Sequence, residues 1–198
     1  MSDPNALDGT FWNSRYETNA TGWDIGFVST PLKAYFDQLT DKSVSILIPG
    51  CGNAYEAAYL LEQGFTNITL IDISARAIAL VQEKLKQYDQ ENLTIIHGDF
   101  FDLDATYDLI IEQTFFCALD PLLRVAYAAK MHALLKYGGK LAGLLFNRSF
   151  TGGPPFGGKQ EEYLAIFSRF FKIRLMAPAY NSIPARAGTE LFFIAVKA

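Results

Sequence analysis

VSILIPGCGNAYEAAYLLEQGFTNITLIDIS, residues 44–74, decides how this chain folds. Residues 44–48 form a short, largely β-branched apolar run that ends at Pro49-Gly50-Cys51-Gly52, and a run so bounded reads as a buried strand. A stretch of Ala and Leu at helical spacing follows over residues 53–63 and stops at Gly64. Residues 68–71 are a second apolar run, closed by Asp72. The order is strand, glycine turn, helix, strand, with a carboxylate at the tip of the second strand. Units of this kind hold nucleosides: bare backbone approaches the ligand at Gly50 and Gly52, and the acid accepts hydrogen bonds from the ribose hydroxyls.

Working outward, the alternation continues. Residues 31–39 have helical spacing (Leu32, Tyr35, Phe36, Leu39), and Pro31 suits a first helical turn. Ser74 caps a helix expected over residues 75–88. Strands are expected over residues 93–97, 109–112 and 140–146, with a helix over residues 121–136 stopped by Gly138-Gly139. Residues 147–159 carry four glycines and two prolines and form a long loop, a kind of segment that often serves function. A helix over residues 160–167 precedes two last strands, residues 171–176 and 190–196, joined by a loop over residues 178–188. Five strands alternating with helices argue for a doubly wound parallel sheet. A final pair joined without a helix requires an antiparallel neighbour. The expected fold is α/β, a seven-stranded, mostly parallel Rossmann-like sheet with a late antiparallel strand, formed by residues 1–198 as one domain.

Composition bounds the function. At 198 residues, half of them hydrophobic, the chain can bury a full core and is not a disordered segment. A net charge of −4 excludes the basic surface that nucleic acid demands. Arg169, Lys172 and Arg174 alternate with Phe170, Phe171 and Ile173, the pattern of a solvated strand edge. Two cysteines, Cys51 and Cys117, make no disulfide framework and no metal-ligand spacing, so no metal is expected. His97 and His132 fall inside element patterns and read as structural. The start, MSDPNALDGT, lacks the features of a secretory leader, and no run has the length of a membrane span. The expected compartment is the cytoplasm, with no membrane partner.

The glycine turn separates two cofactors. A dinucleotide fingerprint, G-x-G-x-x-G, needs a third glycine where this chain has Tyr55. That glycine lets helix and strand pack closely around a pyrophosphate. S-adenosylmethionine (SAM) has no pyrophosphate, so Tyr55 suits SAM and disfavours a nicotinamide cofactor. Asp99-Phe100, after the third strand, can bond the adenine amino group and stack on its ring, or can simply cap a turn and fill the core. Upstream, Trp12, Tyr16, Trp23 and Phe27 are many large aromatics for a free polar tail. Aromatic faces attract a cation such as a sulfonium, and a cover over the site excludes water.

With these residues in view, the chain resembles the thiopurine S-methyltransferase-like family, and most closely its halide and thiol methyltransferase branch. The resemblance rests on W-x3-Y-x6-W-D-x-G (Trp12, Tyr16, Trp23, Asp24, Gly26), I-P-G-C-G (residues 48–52), L-I-D-I-S (residues 70–74) and G-D-F-F (residues 98–101). F-F-C-A-L-D-P-x2-R (residues 115–124), G-G-P-P-F (residues 152–156) and S-I-P-A-R (residues 182–186) complete it. It implies a SAM-dependent methyltransferase with residues 1–30 as a lid. It further implies cofactor contacts from Trp12, Tyr16, Trp23, Gly50, Gly52, Asp72, Ile73, Asp99, Phe100 and Gln113. Tyr16 stands where that branch commonly has Trp, and Gln113 where it has an aromatic or Arg. The implied acceptor is a small molecule or small anion with a soft nucleophile (thiol, hydrosulfide, thiocyanate or halide), with Phe27, Phe156, Tyr180 and Arg186 as pocket candidates. A thiopurine or other aromatic thiol, and a non-catalytic SAM-binding role, are the alternatives. The expected state is a monomer, with a homodimer as the other possibility.

Overall fold

The computed structural model describes residues 7–88 and 91–198. Two helices come first, α1 (Gly9–Glu17) and α2 (Thr30–Phe36). The core alternation follows: β1 (Ile46–Pro49), α3 (Tyr55–Glu62), β2 (Ile68–Asp72), α4 (Ala75–Lys84), β3 (Leu93–His97), β4 (Tyr107–Gln113), α5 (Arg124–Ala133) and β5 (Leu135–Phe146). The chain ends with α6 (Gln160–Phe167), β6 (Lys172–Pro178) and β7 (Glu190–Val196). The seven strands lie in the order β3-β2-β1-β4-β5-β7-β6. The first five run parallel, and β7 is antiparallel to both β5 and β6. This is the expected architecture, and the strand order reverses direction between β1 and β4. In such sheets a crevice opens at that switch point, beyond the carboxyl ends of the strands.

Two apolar layers sandwich the sheet, and the period-two alternation of the strands divides residues between them. In β1, Ile46 and Ile48 join Leu32, Phe36, Ala57 and Leu60 under α2 and α3. Leu47 faces the other layer with Tyr127, Met131 and Phe167 from α5 and α6. Burying side chains of this size stabilises the fold by roughly 1.5–3 kcal/mol each. β6 forms an edge of the sheet, with Lys172 and Arg174 exposed, which matches the alternation of charges there.

Several expected boundaries move. α3 starts at Tyr55 because Gly50, Gly52 and Ala54 all hold left-handed backbone (φ +57°, +51° and +51°), so the turn extends through Ala54. Residues 121–123 form a 3-10 turn capped by Asp120, and α5 is shorter than its pattern. Leu135 already pairs with Tyr107, so Gly138-Gly139 lies in a bulge within β5 and not at a helix stop. α4 ends at Lys84, ahead of the expected limit at 88. α1 is an element that the sequence reading did not contain. No helix among the described residues is long and apolar enough to cross a membrane.

Candidate active site

A cavity of about 220 Å³ lies at the switch point, over the ends of β1, β2 and β4. Its floor is the glycine turn. Gly50 has a positive φ, and a Cβ there would be driven into the Phe115 ring. Only glycine satisfies both conditions. Asp72 borders the cavity at the tip of β2 and is 9 % exposed. Its Oδ2 accepts the Gly52 N–H at 3.0 Å and its Oδ1 the Ser74 N–H at 2.8 Å. Burial pushes its pKa up, while those backbone N–H groups pull it back. The carboxylate is thus held rigidly, with its remaining lone pairs for a ligand.

Beyond β3, Asp99 and Phe100 both border the cavity but divide their duties. Asp99 is exposed and caps the 3-10 turn over Phe100–Asp102 by accepting the Phe101 N–H at 2.8 Å. Phe100 is 4 % exposed and packs edge-on against Phe115 at 5.4 Å. Most of its ring belongs to the core. Gln113, at the end of β4, borders the cavity and accepts the Thr114 hydroxyl at 3.2 Å.

α1 brings Trp12 and Tyr16 over the opening, and the segment after it adds Trp23. Trp23 meets Trp12 edge-on at 5.5 Å and Tyr16 at 6.0 Å. Asp8 caps α1 by accepting the Thr10 and Phe11 N–H groups. Asn13 docks the helix onto α4: its Oδ1 accepts the Ser74 hydroxyl at 2.8 Å and the Arg76 N–H at 3.1 Å. Burial raises the Tyr16 phenol above its ordinary pKa, and nearby Asp72 adds to the effect, so Tyr16 stays a neutral hydroxyl.

Asp24 and Glu56 border the cavity without having been singled out as ligand contacts. Asp24 accepts the Gly26 N–H at 2.7 Å, the Asn53 amide at 2.5 Å and the Tyr55 hydroxyl at 3.3 Å. Glu56 is buried in the first turn of α3 and accepts the Ser29 N–H at 3.0 Å; burial raises its pKa. A sequence signal for Glu56 did exist. It lies four residues before Leu60, on the stripe of α3 that faces the core. The cavity's charged residues, among those described, are Asp24, Glu56, Asp72 and Asp99, with no Lys, Arg or His. That donor set fits a cationic ligand and opposes a pyrophosphate. Aromatic walls, a ribose-competent acid and this charge together fit SAM.

The four pocket candidates separate. Phe27 borders the cavity. Phe156 does not; its N–H donates to the Cys117 carbonyl at 2.6 Å. Its neighbours Pro154 and Pro155 border the cavity instead, along with Leu119, Leu123 and Phe146. Buried Arg124 holds this loop by donating to the Gly157 carbonyl at 2.8 Å and pairing with Glu162 at 2.6 Å. Tyr180 is 93 % exposed and lies off the cavity. Arg186 is 8 % exposed, also off the cavity, and engaged by Glu190 at 3.1 Å and the Trp23 carbonyl at 2.6 Å.

The family model for thiopurine S-methyltransferase matches residues 7–189. The chain belongs to the thiopurine S-methyltransferase family. It is a SAM-dependent methyltransferase, consistent with a cavity built for a cation. Among its relatives, a probable thiol methyltransferase 2 of Arabidopsis thaliana is 33% identical over 77% of this chain and 69% of its own length. Thiocyanate methyltransferase 1 of the same plant is 30% identical, over 90% and 81%. A thiopurine S-methyltransferase of Aliivibrio fischeri is 27% identical, over 82% and 84%. Of solved structures, the Burkholderia thailandensis 1,6-didemethyltoxoflavin-N1-methyltransferase with bound S-adenosylhomocysteine superposes with a TM-score of 0.76 at 19% identity, covering 100% of this chain and 93% of its own. The [4+2]-cyclase SpnF reaches the same score at 15% identity, over 96% and 94%. Similarity at that level speaks for the fold alone.

Proposed function

We propose that this methyltransferase moves the SAM methyl group to a small soft nucleophile: a thiolate, hydrosulfide, thiocyanate or halide. One observation carries the reading. Besides its acids, the cavity is lined by Phe27, Leu119, Leu123, Phe146, Pro154 and Pro155, with no cation or histidine among the described lining residues. An apolar wall costs little for a large, weakly hydrated anion and much for a hard, strongly hydrated one. These apolar side chains offer no proton acceptor of their own, which suits an acceptor that arrives already nucleophilic. The two Arabidopsis relatives named for thiol and thiocyanate methylation support the same acceptor class.

SAM, when bound, supplies a methyl group made electrophilic by the sulfonium. The chain's part is to hold and shield. Asp72 binds the ribose hydroxyls; Ile73, Asp99 and Phe100 flank the adenine; Gln113 and the backbone of Gly50 and Gly52 contact the rest. Asp24 and Glu56 balance the cofactor's positive charge, and Trp12, Tyr16 and Trp23 turn aromatic surface toward it. Residues 1–30 act as a lid on one methyltransferase domain, excluding water from the acceptor. Orientation and desolvation of this kind are worth about 7–11 kcal/mol in well-aligned systems. We place the enzyme in the cytoplasm, as a monomer.

An aromatic thiol is the second reading. Leu123 lines the cavity yet is exposed, and its neighbour Leu122 is exposed beside it, which gives an aromatic ring apolar surface to rest on. Incubation with SAM and iodide, thiocyanate, hydrosulfide or an aryl thiol decides. The small-nucleophile reading expects methylated iodide, thiocyanate or hydrosulfide. Turnover of the aryl thiol alone selects the second reading, and SAM binding with no turnover of any of them sinks both.

A further inference from the structure

Arg186 sits apart from the cavity, yet with Arg124 it is one of two buried cations among the described residues. Its guanidinium forks. Nη1 pairs with Glu190, itself 3 % exposed, at 3.1 Å. Nη2 donates to the backbone carbonyl of Trp23 at 2.6 Å, across 163 positions of sequence. Its Cζ lies 5.2 Å from the ring centroid of Phe146, which lines the cavity. Arg186 is fixed from below by its own backbone: its N–H donates to the Ile183 carbonyl at 2.9 Å, and its carbonyl accepts the Thr189 N–H at 3.0 Å and hydroxyl at 2.9 Å.

A second tether joins the same two segments. The Thr30 hydroxyl donates to the Asn181 carbonyl at 2.5 Å, and the Asn181 amide donates to the Thr30 carbonyl at 3.2 Å. The segment before β7 therefore grips the stretch 23–30 at both ends, with cavity-lining Phe27 between the grips. On its other flank, Asp24 is held by Asn53 and Tyr55 at the start of α3.

We propose that Arg186 is a positioning residue, a clasp that holds the lid closed over the cofactor by binding the Trp23 carbonyl, and not a contact for the acceptor. A guanidinium that is 8 % exposed, off the cavity and engaged by a carboxylate and a carbonyl is not presented to a substrate. The clasp joins the loop over residues 179–189 to residues 23–30, so the lid is anchored to the segment that enters β7. The proposal rests on reading residues 1–30 as a lid.

The test is hydrogen exchange with and without SAM, combined with calorimetric SAM binding, on three proteins. R186K keeps a cation facing Glu190 but loses the second arm of the fork. R186M/E190L replaces the buried pair together, so that no carboxylate is left unpaired. In the wild type, SAM should slow exchange across residues 18–28. In both variants that protection should fall at least tenfold and the SAM Kd should rise by about tenfold, with β1 and β4 unchanged; R186K alone suffices if the double variant does not fold. Faster exchange confined to residues 179–190, or an unchanged SAM Kd, overturns the clasp. Absence of SAM-dependent protection of residues 18–28 in the wild type overturns the lid reading and the clasp with it.

Discussion

Asp72 and Gly50 both border the cavity and test the proposed site at the level of single residues. Asp72→Ala removes a hydrogen-bonded charged acceptor and should weaken SAM binding by about 1–3 kcal/mol, read by calorimetry. Unchanged affinity would remove Asp72 from the ribose role. Gly50→Ala forces a Cβ into the Phe115 ring on left-handed backbone. It should cost about 1–3 kcal/mol of stability in a denaturant melt, with SAM binding lost alongside. Glu112 presents a different case. It is fully buried under the turn after β4, where it accepts the Phe116 N–H and the Tyr127 hydroxyl. Burial raises its pKa to about 7, against the opposing pull of those hydrogen bonds. The folded state therefore binds this proton more tightly than the unfolded chain. Its contribution is fully present below the ordinary carboxyl pKa and is lost as pH rises through about 7. Between pH 5 and 8 the wild type should lose on the order of 2 kcal/mol of stability relative to Glu112→Gln. Parallel pH dependences of the two proteins would rule this out.

At the scale of elements, legibility followed the source of each element's order. β1 and β2 announce themselves because burial on both faces demands unbroken apolar runs. α1 carries no such stripe: it buries no residue fully and is set by the Asp8 cap and by Asn13 reaching α4. A cap and two long-range hydrogen bonds leave almost no periodic signal. The start of β5 was hidden for a related reason, since Gly138-Gly139 serves a bulge as readily as a helix end. Arg186 shows the limit at the site. A charge in a loop does not reveal whether it faces a ligand or a carbonyl distant in sequence. Asn13→Ala tests the docking of α1: stability should fall by about 1–2 kcal/mol, and SAM affinity should fall with it because Trp12 and Tyr16 ride on this helix. A melt and a calorimetric titration measure both.

Across the whole molecule, the ligand class was legible and its electrostatic setting was not. Strand order and glycine turn place a nucleoside at the switch point, and the missing third glycine removes the pyrophosphate. That the lining charges are all acidic became visible only when Asp24 and Glu56 were brought beside Asp72 and Asp99. The consequence is a preference by charge. The cationic sulfonium should bind at least severalfold more tightly than the neutral thioether of S-adenosylhomocysteine, and the gap should narrow as salt screens the site. Equal affinities at low ionic strength would show that the acids do not act on the reacting sulfur.

The aromatic cluster over the cavity also determines how the molecule can be watched. The chain has two tryptophans, Trp12 and Trp23, and both belong to the aromatic cluster above the cavity. Every indole in the protein therefore sits where ligand arrives, and none reports from the core beneath the sheet. Intrinsic emission is in effect a signal from one place, free of background from the rest of the fold. Rapid mixing with unlabelled cofactor can follow its binding and release directly, with the protein as its own dye.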